Sequence, residues 1–288
     1  MKVLVTGAGG QVGQALIATA PEGLQLIACS RAELDITNDR AVLDRLRADV
    51  PQVVVNTAAY TAVDRAESEP DLARKANSLG PRYLAEAARE VGARLIHLST
   101  DFVFDGSASV PYPPDAPTHP LSVYGATKRV GETAVLEAGG GGVLVLRTAW
   151  VYAAQGRNFV NNLLRLMRQN GAVRVVADQI GTPTSARSLA SLIWQLIERP
   201  AVAGIHQWTD AGVASWYDFA VAIAEEGAAA GLLPPTVEVE PIATEQYPTP
   251  ARRPRYSVLD RSSLASLGVK PVHWRVRLRE VLREIENA

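Results

Sequence analysis

A phenol and an ammonium stand four residues apart in Tyr124-Gly125-Ala126-Thr127-Lys128. That spacing is one turn of helix and puts both groups on one face. A free tyrosine titrates near about pH 10, too high for acid or base work at neutrality. A cation beside it favours the phenolate and lowers that pKa. The pair then gives a proton to a developing alkoxide or takes one from an alcohol. Tyr and Lys share this spacing in many helices, so the chemistry depends on what else the chain brings to them.

A second chemical feature opens the chain. Gly7-Ala8-Gly9-Gly10-Gln11-Val12-Gly13 follows the apolar run Val3 to Thr6 and begins a segment of helical periodicity. The G-x-x-G-x-x-G spacing between strand and helix suits a turn whose amides meet a pyrophosphate. Gly7, Gly10, Gln11 and Val12 are assigned to a dinucleotide cofactor on that ground. The next apolar run ends in Cys29-Ser30-Arg31. An acid there would hold the ribose 2′-hydroxyl of NAD(H). Ser30 and Arg31 instead suit a 2′-phosphate, which favours NADPH. Glu33 and Asp35 keep NADH possible, and Arg31 has the alternative reading of a solvated loop residue. Asp35-Ile36 would bracket the adenine. The third run ends in Asn56-Thr57-Ala58-Ala59-Tyr60, whose small residues leave room over the strand ends. Ala58, Ala59 and Tyr60 are therefore placed in the cofactor site.

The elements that must position these groups alternate. Val3 to Thr6, Leu24 to Cys29, Val53 to Asn56, Arg94 to Leu98 and Val143 to Leu146 read as strands buried on both faces. Val12 to Thr19, Asp39 to Ala48, Asp71 to Val91 and Val123 to Glu137 read as helices between them. This order argues for an α/β fold, a Rossmann-type doubly wound parallel sheet. The second half is less regular. Helices are expected at Phe159 to Gln169, Ser188 to Glu198, Ser215 to Glu226 and Val276 to Asn287. Short strands are expected at Val173 to Val176, Gly204 to Trp208 and Val237 to Pro241. Pro111 to Pro120 and Pro248 to Pro254 must be loops. The division expected is a dinucleotide-binding domain over 1–150, with segments near 173–207 returning to it. A smaller C-terminal α/β substrate-binding region takes 151–172 and 208–288.

The 288 residues are 47% hydrophobic and 20% charged, with a formal net charge of −1. With no basic tail or charge run, nucleic acid and anionic membrane are poor partners, and no stretch is long enough to span a bilayer. The N-terminus lacks the pattern of a signal peptide. The single cysteine, Cys29, suits a cytoplasmic location and reads as an inert buried thiol. His97 reads as core. No His, Cys and carboxylate cluster has metal-ligand spacing, so no catalytic metal is expected.

Thr100, at the carboxyl end of the fourth strand, offers a hydroxyl to a substrate carbonyl. With Tyr124, Lys128 and the glycine turn it resembles the extended short-chain dehydrogenase/reductase family, which uses a Ser/Thr, Tyr and Lys triad with a nicotinamide. The chain is most similar to that family's branch of dTDP-4-keto-deoxysugar reductases. The stretches carrying this are Thr61 to Glu67, Ser99 to Phe104, Val123 to Lys128, Arg147 to Tyr152, Asp178 to Thr184 and Tyr247 to Pro254. The resemblance implies reduction of dTDP-4-dehydro-L-rhamnose to dTDP-L-rhamnose, with a nucleotide-sugar substrate. In it Tyr124 protonates the 4-keto oxygen, Lys128 lowers its pKa and holds the nicotinamide ribose, and Thr100 bonds the same oxygen. Asp101 contacts the sugar, Trp150 walls the pocket, and Arg252 and Arg253 clamp the diphosphate. Each has a structural alternative: a turn cap for Asp101, core for Trp150, a solvated pair for the arginines. Some relatives pair through magnesium held by glutamates, one just after the glycine turn. Here that stretch reads Gln14-Ala15, so Mg2+ is doubtful and a homodimer would be of another kind. A related nucleotide-sugar reductase or epimerase and a non-catalytic NADP-binding regulatory subunit are the rival readings.

Overall fold

Val53-Val54-Val55-Asn56 is buried at every position, as a strand covered on both faces must be. The computed structural model describes residues 1–265 and 267–287. In it this segment is β3 of a six-stranded sheet. The others are β1 (Lys2–Thr6), β2 (Gln25–Cys29), β4 (Arg94–Thr100), β5 (Leu144–Thr148) and β6 (Gly204–Gln207). Their order is β6-β5-β4-β3-β1-β2, parallel throughout. The chain leaves β1 for β2 on one side and returns to β3 on the other. The crevice between the loops after β1 and β3 is thus the switch point where such sheets take ligands.

Successive residues of each strand serve opposite faces. Val3, Val5, Val53, Val55 and Ile96 pack on α1 (Gln11–Ala18) and α6 (Ala186–Ile197). Leu4, Val54, Leu95 and Val145 pack on α2 (Asp39–Asp49), α3 (Gly80–Glu90) and α4 (Val123–Gly139). A separate core joins α5 (Phe159–Asn170), α7 (Trp216–Ala229) and α8 (Trp274–Glu286) with Val173 and Val175. The stretch 173–207 is divided between the cores. Ala172–Val176 pairs with Glu238–Ile242 in the second, whereas α6 and β6 rejoin the first.

The expected helix from Asp71 to Val91 is present without a gap from Pro70 to Glu90, but it is not a uniform α-helix. Pro70–Arg74 leads into a π turn at Lys75–Leu79 before α3. Pro81 has no N–H to give the carbonyl of Asn77, and α4 packs there: a Cβ on Gly131 would lie 2.1 Å from that oxygen. Among the described residues no helix is long and apolar enough to cross a membrane.

Candidate active site

Gly7 takes φ +70, and a Cβ on it would come within 2.6 Å of the Ala58 amide. A Cβ on Gly13 would reach 2.4 Å from the Gly7 carbonyl. Both glycines are required because the turn, α1 and the loop after β3 press together. Gly9 faces open space and Gly10 is exposed at the N-terminus of α1, so the amide cradle fits a pyrophosphate. Val12 packs into the core. The Gln11 Oε1 accepts from Asn158 Nδ2 at 2.9 Å, tying the turn to the second half of the chain. Ala58 and Ala59 border the crevice partly exposed. Tyr60 is held there by Asn77, whose Oδ1 accepts from its amide at 2.8 Å and whose Nδ2 donates to its carbonyl at 3.1 Å.

At the end of β2 the Ser30 amide donates to Glu33 Oε2 at 2.7 Å. The Arg31 side chain is 87% exposed, with only a 3.8 Å contact to Asp35, and is free to meet a phosphate. Asp35 accepts from the amide and hydroxyl of Thr37. The Ile36 side chain is buried against Gly80, so only its backbone is left for an adenine. These residues fit a dinucleotide with a 2′-phosphate.

Thr100 ends β4 and its Oγ1 accepts from the Phe102 amide at 3.2 Å. The same hydroxyl donates to Asp101 Oδ1 at 3.1 Å. Opposite stands α4, begun by Ser122, whose Oγ accepts from the Gly125 amide. Its Tyr124 packs edge-on against Phe102 at 5.5 Å and faces Thr100 and Asp101. Lys128 is buried, and its Nζ donates to the Leu98 carbonyl at 2.6 Å. The structure therefore brings Thr100, Asp101 and Tyr124 together, with Lys128 one turn further along α4 and bonded to β4, at the end of the sheet that also carries the glycine turn.

The electrostatics correct one expectation. Burial pushes the Tyr124 phenol up to about 12; the Thr100 hydroxyl pulls the other way and the Asp101 charge adds to the rise. The phenol rests protonated, and the lowering expected from Lys128 is not among the effects acting on it. Burial brings Lys128 down to about 8, against the nearby Glu132 charge. Burial also raises Asp101 to about 6, partly offset by the Ser257 and Thr100 hydroxyls. Its Oδ2 is buried and, among the described residues, has no partner within hydrogen-bond geometry.

Trp150, expected to wall a substrate pocket, has φ +48, a strained conformation for a bulky residue costing on the order of 1 kcal/mol or more. Arg252 is exposed. Arg253, expected on a diphosphate, is instead paired with Asp64: its Nη2 donates to Oδ2 at 2.8 Å and its Nη1 to Oδ1 at 3.0 Å. The loop amide of Ala251 joins the same carboxylate.

Sequence reading missed several residues that shape the site. Glu67 accepts from the Val123 amide at 2.8 Å and fixes the start of α4. Ser99 and Arg147 both donate to Glu132, in a pair no more than 1% exposed. Gly125 lets α4 lie on the turn after β4, since a Cβ there would fall 2.2 Å from the Phe102 carbonyl. The glycine inside the Tyr-Lys stretch was the available signal for that contact. Among the described residues no group of three or more His, Cys, Asp or Glu is placed to hold a metal.

This geometry has close counterparts. The chain is 42% identical over 296 residues to the dTDP-4-dehydrorhamnose reductase of Burkholderia thailandensis, covering 99% of each. A solved dTDP-4-dehydrorhamnose reductase from Clostridium acetobutylicum superposes with a TM-score of 0.94 at 39% identity, over 99% of this chain and 100% of that one. The Bacillus anthracis enzyme, solved in complex with NADP, gives 0.92 at 35% identity, over 98% and 99%. The family described as the RmlD substrate binding domain matches residues 1–287, and the chain belongs to that family.

Proposed function

We propose that this protein reduces the C4 ketone of dTDP-4-dehydro-L-rhamnose to give dTDP-L-rhamnose, with NADPH preferred over NADH. The observation that carries this reading is the grouping of Thr100, Asp101 and Tyr124, with Lys128 anchored on β4 one turn along α4, at the sheet end that carries the glycine turn. NADPH, when bound, supplies a hydride to C4. The chain's own groups do the rest. Tyr124, protonated at neutrality, gives its hydroxyl proton to the ketone oxygen, so ketone, hydride and proton make the alcohol. Thr100 donates to the same oxygen and fixes its position. The Lys128 ammonium offsets the charge left on the phenolate until water returns the proton. Asp101 receives a sugar hydroxyl and Trp150 walls the pocket. Arg252 takes the diphosphate, while Arg253 acts by holding its loop through Asp64. In this reading the sheet and α6 hold the cofactor and the second core holds the sugar nucleotide. The buried Cys29 thiol suits a cytoplasmic enzyme.

The experiment is to supply the 4-keto nucleotide sugar with NADPH and NADH in parallel and follow the nicotinamide absorbance. Stoichiometric oxidation, faster with NADPH, is expected. Conversion of the sugar without net oxidation would mark an epimerase, and cofactor binding without turnover a regulatory subunit; either would sink the proposal.

A further inference from the structure

We infer that Trp216 and Gly181 are positioning residues that hold Trp150 in the conformation in which it walls the substrate cleft. This rests on the reading of Trp150 given above. Among the described residues only Val50 and Trp150 are non-glycine residues with positive φ. Val50 ends α2, where left-handed backbone is ordinary. Trp150 ends no helix. It follows β5, whose last residue Thr148 lies level with Thr100 on β4. A bulky side chain keeps such a backbone only where its surroundings over-determine it.

Three contacts do so. The Thr184 amide donates to the Trp150 carbonyl at 3.1 Å. The Trp216 ring lies parallel to the Trp150 ring, centroids 3.5 Å apart and planes 6° from parallel. Gly181 lies against the indole, and a Cβ on it would come within 2.6 to 2.8 Å of three of its atoms. Positive φ is found at other glycines and not at Gly181. Glycine is therefore required here by the closeness of the indole alone. The clamp is one built unit. Ala214 and Ser215 pair antiparallel with Gly181 and Ile180, which brings the start of α7 to this stretch, and Phe159 backs Trp216 at 4.6 Å. The Asp178 to Thr184 stretch thus has a role: it is the bed on which Trp150 rests. The three residues that contact Trp150 here, Thr184, Trp216 and Gly181, are not among those assigned to the dinucleotide.

The test uses Trp216→Ala, Trp216→Phe and Gly181→Ala in the full chain. Losing one aromatic stack corresponds to a KM for the 4-keto nucleotide sugar raised about tenfold in Trp216→Ala. The NADPH dissociation constant should stay within about twofold, as for a distant independent site, and kcat should fall less than KM rises. Trp216→Phe should restore most of the KM. Gly181→Ala keeps both indoles and should lose the circular-dichroism couplet of the stacked pair while raising KM. An unchanged KM in Trp216→Ala, a full couplet in Gly181→Ala, or KM and NADPH binding worsening together would overturn the inference. If Trp216→Ala does not fold, the other two variants decide by the same readings. A wild-type protein that oxidises no NADPH with this substrate would remove the substrate reading alone, because the Gly181→Ala couplet reports the clamp without any substrate.

Discussion

Burial drives the pKa values of the two proton-active groups of the site apart, Tyr124 up to about 12 and Lys128 down to about 8. Lys128 is cationic below its pKa and loses that charge as pH rises through about 8. The kcat/KM should therefore have an alkaline limb near there. Lys128→Arg, whose cation persists, should run slower but without that limb; a limb that stays would assign it elsewhere. Asp101 gives a second prediction. Its folded pKa is raised to about 6 by burial, above the unfolded value of about 4. The folded state then binds the extra proton, so this group's contribution is present at low pH and lost as pH rises from about 4 to about 6. Asp101→Asn should raise the melting temperature at pH 7 relative to wild type, with a smaller gain near pH 4, while lowering turnover. Equal shifts at both pH values would contradict it. The residue types at Thr100, Tyr124 and Lys128 were legible in sequence. The direction of the Tyr124 shift was not, because spacing does not encode desolvation.

The strands of the sheet were legible because residues buried on both faces leave unbroken apolar runs. The π turn at Lys75–Leu79 was not, since it answers to contacts from α4 rather than to local periodicity. The same helix supplies a prediction at this scale. Glycine to alanine inside an exposed helix ordinarily stabilises by about 1 kcal/mol. In α4 the sign should reverse at Gly125, because the added carbon would meet the Phe102 carbonyl at 2.2 Å. We expect Gly125→Ala to destabilise by about 1–3 kcal/mol in urea melts, as overpacking does. Activity should fall further than stability, since the displaced helix carries both Tyr124 and Lys128. A stabilised, fully active variant would show that α4 does not depend on this close approach.

At the scale of the whole molecule, the two cores meet across contacts that no local pattern encodes. Arg253 and Asp64 are separated by 189 positions, and the sequence offered the arginine as a phosphate ligand or as one of a solvated pair, without its partner. Their pair fastens the proline loop of the second half to the segment after β3. The side chains are 24% and 40% exposed, so the pair adds at most about 1 kcal/mol to stability. Its effect should appear in substrate binding instead, because the loop also carries Arg252. Arg253→Ala should leave the melting temperature nearly unchanged and raise KM for the nucleotide sugar severalfold. Arg253→Asp should be worse, since two carboxylates would then face each other. Combining Arg253→Asp with Asp64→Arg should recover part of the loss, and raising salt should narrow the differences. The Arg253 hydrogen bonds hold Asp64 below the usual carboxylate range, against the opposing effect of burial. The pair should therefore persist through neutral pH and fail only as pH falls through that lowered value. A double variant no better than Arg253→Asp would show that the two side chains act separately, and that loop placement is set by the backbone packing of Gly106 against Pro254 and Arg255.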